Sequence, residues 1–202
     1  MKRTIVTVLS LLALSACHKH AVYTLNPLFR NASNFDTGSY LVYRDSITNS
    51  IDSFWVFRFS HGYEYTATDD KVETMYTDLK NSEDERIKFG ATGSGTILTT
   101  HFQAHEKAQS FSVYSISDPF IPGGSISITD IDWKITNIEF LEDYTLNGEH
   151  YSKVYVVAGH TSASDIRYTT WFAQTAGLIK YEFVTDSGMQ VMTLLRSVVI
   201  RK

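Results

Sequence analysis

The chain has 202 residues, of which 43% are hydrophobic, 20% charged and 13% aromatic, with three Pro and a single Cys. This composition is typical of one folded globular domain and excludes a disordered or low-complexity chain. The net charge of −4 does not indicate a nucleic-acid partner, and one cysteine excludes both an internal disulfide and a cysteine-based metal site.

The N-terminal residues predict a secretory signal peptide. Lys2 and Arg3 are followed by an uncharged stretch of 13 residues, from Thr4 to Ala16. A helix that crosses a bilayer needs about 20 apolar residues, so this stretch is too short for a permanent span and fits a cleaved signal. We expect residues 1–16 to be removed, which leaves 16 Lys and Arg against 22 Asp and Glu.

The end of the signal carries a more specific pattern. Leu14-Ser15-Ala16-Cys17 resembles the lipobox of bacterial lipoproteins, in which a diacylglyceryl group is attached to the cysteine sulfur. The resemblance implies lipid attachment at Cys17, with the membrane as a partner through that lipid. Two or more acyl chains anchor a protein stably, so no transmembrane helix is needed.

The residues after Cys17 bear on which membrane is used. In lipoproteins of Gram-negative bacteria an Asp at this position favours retention in the inner membrane, and here the residue is His18. The resemblance therefore implies the outer membrane of the cell envelope. His18-Lys19-His20 is basic and lacks the acidic run that directs some lipoproteins to the cell surface, which favours the periplasmic side.

Three regions follow from these patterns. Residues 1–16 form the signal peptide, residues 17–37 a lipidated N-terminus and tether without sustained periodicity, and residues 38–202 a single β-rich domain.

Strand patterns begin after Gly38. Residues 40–44 and the alternating apolar residues of 51–59 predict a hairpin around a polar break, and His61-Gly62 predicts the turn that ends it.

Residues 69–80 allow two interpretations. Val72, Met75, Tyr76 and Leu79 have helical spacing, and Asp70 could cap such a helix. The neighbouring segments are strand-like, however, and residues 86–89 could return as the partner of a hairpin. We favour a strand and keep one short helix near 69–80 as the alternative.

The rest of the chain continues the strand pattern. Strands are predicted at 96–102, 110–116, 125–141, 151–158, 168–174, 178–184 and 189–200. The apolar face switches twice within 125–141, and each switch predicts a bulge, a bend or a turn. Asn147-Gly148 predicts a tight hairpin, and residues 189–200, apolar on both faces, predict a central strand. We expect an all-β antiparallel meander of about ten to twelve strands, forming a sandwich or barrel.

The C-terminal pattern also carries a resemblance. Asn147-Gly148, Val154-Tyr155-Val156-Val157, Trp171-Phe172-Ala173 and Gly177-Leu178-Ile179 together look like segments of small uncharacterised β-rich bacterial envelope lipoproteins. The resemblance implies an architecture. It brings no reaction and no active-site motif.

Candidate chemistry is sparse. His101, His105 and Glu106 could serve a zinc site or a hydrolase, but the order His-x3-His-Glu differs from the His-Glu-x2-His of zinc proteases. We interpret them as surface residues at a strand end and loop. Acidic loops, such as Asp69-Asp70, lack the spacing of a calcium-binding loop. We therefore predict no catalytic residue, no metal ligand and no cofactor.

Aromatic residues carry the remaining functional signal, because several strands place them on both faces. Core packing between two layers explains some of them, and others could line an apolar cavity or a binding face. They are Tyr40, Tyr43, Phe54, Trp55, Tyr63, Tyr65, Tyr168 and Trp171. The sequence predicts a lipid-anchored envelope protein with a non-catalytic binding or structural accessory role, and alternatively a carrier of an apolar ligand such as a lipid.

Overall fold

The computed structural model describes residues 20–25, 27, 30, 34–93, 97–104, 107–113, 133–161, 167–185 and 188–201. All twelve described elements are β-strands, which confirms the all-β prediction. They are β1 (Val22–Tyr23), β2 (Tyr40–Asp45), β3 (Ile51–Tyr65), β4 (Lys71–Lys80), β5 (Arg86–Thr92), β6 (Ile97–Ala104), β7 (Lys107–Val113), β8 (Trp133–Leu146), β9 (Glu149–Thr161), β10 (Arg167–Ala173), β11 (Gly177–Thr185) and β12 (Gly188–Val198). Within the described ranges, no helix is both long and apolar enough to cross a membrane.

The strands form one sheet in the order β7-β6-β5-β4-β3-β2-β12-β11-β10-β9-β8, with β1 beside β4. Every pair along this path is antiparallel, and β1 alone runs parallel to its neighbour. The predicted meander is therefore confirmed. The last strand, β12, pairs with both β2 and β11, which confirms the central position predicted for residues 189–200.

The sheet curls so that its two halves pack on each other. Phe89 on β5 and Phe172 on β10 lie six strand spacings apart in the sheet order, which in a flat sheet would be about 29 Å. Their ring centroids are only 6.1 Å apart. Among the described strands, however, no pairing joins β7 to β8. The sheet is thus open, and its packing is that of a sandwich made from one sheet and not that of a closed barrel.

Apolar side chains from both halves fill the space between them. The largest fully buried side chains come from β2, β4, β5, β10 and β11 and from one residue that precedes β2. They are Tyr43, Phe35, Phe89, Phe172, Leu41, Met75, Leu79, Ile87, Leu178 and Ile179. Ile179 and Tyr181 are buried, whereas Lys180 between them and Glu182 after them are partly exposed, which is the alternation expected of a half-covered strand.

The β3–β4 hairpin corrects two predictions. Residues 71–80 form a strand, so the helix alternative near 69–80 is wrong and the favoured strand is confirmed. The turn predicted at His61-Gly62 is also wrong, because β3 continues to Tyr65 and Gly62 pairs with Thr74. The turn lies at residues 66–70. There the Thr68 hydroxyl hydrogen bonds to the Thr66 hydroxyl and to the Asp70 carboxylate, and these contacts stabilise the turn.

Two local predictions in β8 and β9 are confirmed. Asn147 and Gly148 join the strands in a tight turn with φ values of 53° and 84°, a conformation that Asn and Gly adopt at low cost. The register of β8 against β9 shifts between Ile135 and Asn137, where one of the two apolar face switches was predicted. The other switch, near residues 128–131, lies outside the described residues.

Candidate functional site

Three of the residues singled out from sequence for attachment or chemistry lie outside the described part of the chain: Cys17, His105 and Glu106. The backbone of His101 lies in β6, paired with Lys88 on β5 and Ser112 on β7. Within the described ranges, no group of three or more His, Cys, Asp or Glu side chains could hold a metal ion.

The first described residues after Cys17 are bound to the sheet. The Ala21 amide donates to Asp70 Oδ1 at 2.7 Å, and the Ala21 carbonyl accepts a hydrogen bond from the Lys71 amide at 2.8 Å. Val22 and Tyr23 then pair with Lys71 and Val72 as β1. The chain on the C-terminal side of the predicted lipidation position is therefore held at one end of the β3–β4 hairpin.

Gly93 allows β1 to lie close to the end of β5. A Cβ atom at this position would lie 2.6 Å from the carbonyl oxygen of Tyr23 and 2.9 Å from the carbonyl carbon of Thr24. Both are backbone atoms, which cannot rotate away. The Gly93 amide donates to the Glu73 carbonyl at 2.8 Å. This hydrogen bond extends the pairing of β5 with β4 up to the point where β1 begins to pair with β4.

Glu73 on β4 holds the segment that follows β1. Its side chain is only 2% exposed, and its carboxylate accepts hydrogen bonds from three residues. The Leu25 amide donates to Oε2 at 2.9 Å, and Arg30 Nη2 lies 2.6 Å from Oε1 and 2.8 Å from Oε2. His61 Nε2 lies 2.7 Å from Oε1. Leu25 and Arg30 belong to the N-terminal segment, so this carboxylate joins that segment to the sheet.

These contacts set the ionisation of Glu73. Burial raises the pKa of its carboxyl group, but the hydrogen bonds from Leu25, His61 and Arg30 outweigh that effect, with a further contribution from the positive charge of Arg30. The pKa of Glu73 is therefore held below its ordinary value. The carboxylate is ionised at neutral pH and is compensated by Arg30, as a buried charge must be.

A carboxylate paired with a histidine can orient that histidine as a general base, and the His61–Glu73 contact has this pairing. Both oxygens of Glu73 are already occupied by groups of the N-terminal segment, and Arg30 neutralises its charge. The arrangement therefore fits a structural clamp better than half of a catalytic triad.

Sequence reasoning missed this clamp because it placed the turn too early. With the turn at residues 66–70, Tyr63 pairs with Glu73 and His61 with Met75, so His61 and Glu73 are diagonal neighbours on one face. The hydroxyl and carboxylate residues of 66–70 were the signal that could have located the turn.

The segment that the sequence analysis assigns to a tether also contributes to the core. Leu25 is 3% exposed and Phe35 is fully buried, with the Phe35 ring 5.8 Å from that of Phe89. The described residues 20–25 and 34–37 thus lie against the domain. Leu25 and Phe35 lie outside the twelve strands, so no strand periodicity marks them in the sequence.

The aromatic residues divide into inner and outer sets, as strand alternation requires. Tyr43, Phe54 and Tyr168 are buried. The Tyr43 hydroxyl donates to the Leu178 carbonyl at 2.8 Å, and its ring lies 5.6 Å from that of Tyr181. Tyr43 and Phe54 are also in ring contact, with centroids 6.0 Å apart. The predicted carrier draws no support from these residues, because their rings pack in the core.

The outer set includes Trp55 and Phe57 of β3, which are 40% and 38% exposed. The Lys80 ammonium lies 6.0 Å from the Trp55 ring centre and 5.3 Å from that of Phe57. The Arg86 guanidinium lies 5.6 Å from the Phe57 ring. Lys80 and Arg86 thus cover rings on a solvent-facing sheet surface, with cation–π contacts that favour this arrangement.

A second exposed set lies at the turn end of the β3–β4 hairpin. Val22, Tyr23, Tyr63 and Tyr65, called the hairpin-end surface below, are 59%, 43%, 53% and 65% exposed. The registers of β1 and β3 against β4 bring all four residues beside Lys71, Val72 or Glu73. Apolar and aromatic side chains are therefore concentrated where the N-terminal segment meets the sheet.

Comparison with known proteins identifies no family for this chain. No protein-family model and no curated protein match it. Similar solved structures include a presumed exported protein with a YmcC-like fold from Bacteroides fragilis, at 12% identity and a TM-score of 0.40. A presumed lipoprotein from Parabacteroides distasonis has 14% identity and a TM-score of 0.37. Each likeness covers 82% of this chain and 99% of the other.

A third similar structure is that of a hypothetical protein from Chlamydia trachomatis, at 12% identity and a TM-score of 0.31. That likeness covers 83% of this chain and 89% of the other. At these identities and TM-scores, none of the three likenesses assigns a function or a site to this chain.

Proposed function

We propose that this chain is a lipid-anchored protein of the bacterial cell envelope, attached through Cys17, with a non-catalytic binding or structural accessory role. The observation that carries the proposal is the binding of residues 21–25 to the β3–β4 hairpin through Asp70 and Glu73. Only three residues, His18 to His20, lie between Cys17 and Ala21. A lipid on Cys17 would thus hold the domain beside the membrane.

The accessory role is supported by what the buried polar groups do. Glu73, the most strongly engaged carboxylate among the described residues of the hairpin, holds the N-terminal segment in place. The buried aromatic residues pack against each other in the core. Both features serve the fold and the attachment, and neither presents reactive groups to a substrate.

Replacement of the cysteine tests the attachment. Cys17→Ala should release the protein from the membrane fraction, whereas His18→Ala, which leaves the lipobox intact, should stay attached after a salt wash. Membrane fractionation followed by immunoblotting measures both. Retention of the Cys17→Ala protein on salt-washed membranes would contradict the proposal.

The position of the protein within the envelope has its own test. We propose the outer membrane, with the domain on the periplasmic side, because His18 replaces the Asp that favours inner-membrane retention. His18→Asp should move the protein to the inner-membrane fraction of a density gradient. Protease added to intact cells should spare the wild-type domain; cleavage there would place it on the cell surface.

Native mass spectrometry of the detergent-released protein separates the accessory role from the alternatives. The expected mass is that of the chain with its covalent lipid. An additional lipid that dissociates on denaturation would favour a carrier of an apolar ligand, and an additional metal ion would favour an enzyme. Either result would contradict the accessory role.

A further inference from the structure

The hairpin-end surface lies beside the point where the chain runs toward Cys17. Ala21 is fixed to the hairpin by hydrogen bonds to Asp70 and Lys71. Even a fully extended chain gains at most about 3.6 Å per residue, so Cys17 must lie within about 14 Å of Ala21. Any membrane that holds a lipid on Cys17 is therefore close to this surface.

The exposed side chains of this surface lie on both faces of the sheet. Tyr63 and Tyr65 lie on one face of β3, and Tyr23 pairs with Val72 on the other face of the hairpin. All three tyrosines are more than 40% exposed. The β4 strand itself is buried here at Val72 and Glu73, so the exposed side chains are those of β1 and β3, the strands on either side of it.

The side chains have the chemistry of a membrane interface. Tyrosine is enriched at the headgroup level of bilayers, where its ring contacts apolar groups and its hydroxyl remains hydrated. Val22, at 59% exposure, adds an aliphatic side chain between the tyrosines and the predicted anchor. Together these residues could enter the headgroup layer without crossing the membrane.

The charges nearby select the kind of membrane. Lys71 lies over the Tyr65 ring, with its ammonium 5.6 Å from the ring centre. Glu64 and Asp69 are exposed at the same end, and Asp70 is half-buried there. Among the described side chains at this end, carboxylates thus outnumber cations, so attraction to anionic headgroups does not explain this surface. Zwitterionic headgroups fit it better.

We infer that the hairpin-end surface docks on the headgroup layer of a zwitterionic membrane and fixes the orientation of the domain relative to its lipid anchor. The inference rests on the proposed lipid attachment at Cys17. The anchor supplies the affinity for the membrane, and the tyrosines select one orientation among those that a short linker allows.

A labelled, full-length lipidated protein in phosphatidylcholine vesicles tests this orientation. Because acylation occupies the Cys17 sulfur, an introduced cysteine is the only free thiol and can carry an environment-sensitive nitrobenzoxadiazole label. Tyr65→Cys places the label on the hairpin-end surface. Ile51→Cys is the matched control, since Ile51 is 61% exposed at the opposite end of β3. The Tyr65 label should shift to the blue and be quenched by a headgroup spin label, and the Ile51 label should show neither effect.

Vesicle flotation separates the two ways in which this experiment can fail. A protein that does not float with vesicles lacks the lipid attachment, and both proposals fall. If the protein floats but the two labels respond alike, only the docking is overturned. The difference between the two labels should be the same at about 0.1 M and 1 M salt. If it disappears at the higher salt concentration, attraction between charges holds the surface on the membrane, and docking on zwitterionic lipid is overturned. A blue shift without vesicles that grows with protein concentration would assign the surface to a second copy.

Discussion

Arg30 donates to both carboxylate oxygens of Glu73, at 2.6 and 2.8 Å, across 43 residues of sequence. The carboxylate is buried, whereas the Arg30 side chain is 43% exposed. The contact therefore joins a partly hydrated cation from the N-terminal segment to a carboxylate inside the sheet. Loss of the Arg30–Glu73 contact should therefore loosen the N-terminal segment more than it disturbs the core.

Glu73→Gln should lower the free energy of unfolding by about 1–3 kcal/mol, because it leaves buried donors without their ionic acceptor. Asp84→Asn is the matched control, since Asp84 and Arg86 form an ion pair at 2.9 Å with both side chains about half exposed. Such surface pairs contribute about 0–1 kcal/mol. Urea denaturation measures both variants, and equal losses would show that the clamp does not stabilise the fold.

The acid side of the stability profile should depend on the same carboxylate. The pKa of Glu73 is lowered in the folded protein, so its contribution is fully present above the pKa of an unfolded Glu, about 4.3, and is lost as the pH falls through the lower folded value. Hydrogen bonds likewise lower the pKa of Asp45 against the opposing effect of its burial.

Thermal denaturation between neutral and strongly acidic pH checks this dependence. The melting temperature of the wild type should exceed that of Glu73→Gln by a constant margin at neutral pH, and the margin should narrow below about pH 4.3. Glu73→Gln should still lose stability in acid, because the pKa of Asp45 is also lowered in the folded protein. A margin that does not change with pH would mean that ionisation of Glu73 is not linked to folding.

Gly93→Ala should displace β1 without unfolding the sheet. Its Cβ atom would meet backbone atoms of Tyr23 and Thr24 at 2.6–2.9 Å, so one of the two segments must shift. The expected cost is about 1–3 kcal/mol, as for overpacking in a core. Hydrogen exchange at the Lys71 amide, which bonds to the Ala21 carbonyl, should become faster.

Gly62→Ala provides the control for that substitution. Gly62 also lies in the β3–β4 hairpin, but no atom comes within 4 Å of the position that its Cβ would occupy. Exchange at Lys71 should stay at the wild-type rate in this variant. Faster exchange in both variants would indicate a general effect on the hairpin and not the close approach of Tyr23.

The sequence predicted the strands well because their signals are local. Asn147-Gly148 defines its own turn, and the alternation of Ile179 and Tyr181 with Lys180 and Glu182 marks a strand with one covered face. The curl of the sheet could not be predicted this way. It depends on contacts such as Phe89 with Phe172, whose rings meet only after the whole sheet has formed.

The contacts of Glu73 with Leu25, Arg30 and His61 could not be predicted for a related reason. Glu73 has a helix-like position in the sequence, three residues after Asp70, and its true partners are 12 to 48 residues away. The role of a buried carboxylate can be predicted only when the cation that pairs with it is known. For Glu73 that cation is Arg30, and no periodic pattern around Arg30 predicts where it lies. The hydroxyl and carboxylate side chains of the 66–70 turn were the local signal that could have corrected the register.

The contact between the two halves of the sheet can be tested at Phe89. Phe89 is fully buried and touches the rings of Phe35 and Phe172, so Phe89→Ala should lower the free energy of unfolding by about 3–5 kcal/mol. Phe57→Ala, at a ring that is 38% exposed under Lys80 and Arg86, should cost about 1 kcal/mol or less. Urea denaturation compares the two, and similar costs would contradict the packing of the halves.

The hydroxyl of Tyr43 gives the last prediction. It donates to the Leu178 carbonyl inside the core, so Tyr43→Phe removes a buried hydrogen bond and should cost about 1 kcal/mol. Tyr63→Phe on the exposed hairpin end should cost nothing measurable. Burial raises the pKa of Tyr43, with a smaller contribution from Tyr151, and burial also raises that of Tyr181. The folded state thus disfavours tyrosinate, and stability should fall as the pH rises above the ordinary value of about 10. Ultraviolet absorbance should show some tyrosines ionising only together with unfolding; ionisation of every tyrosine in the folded protein would contradict the buried positions of Tyr43 and Tyr181.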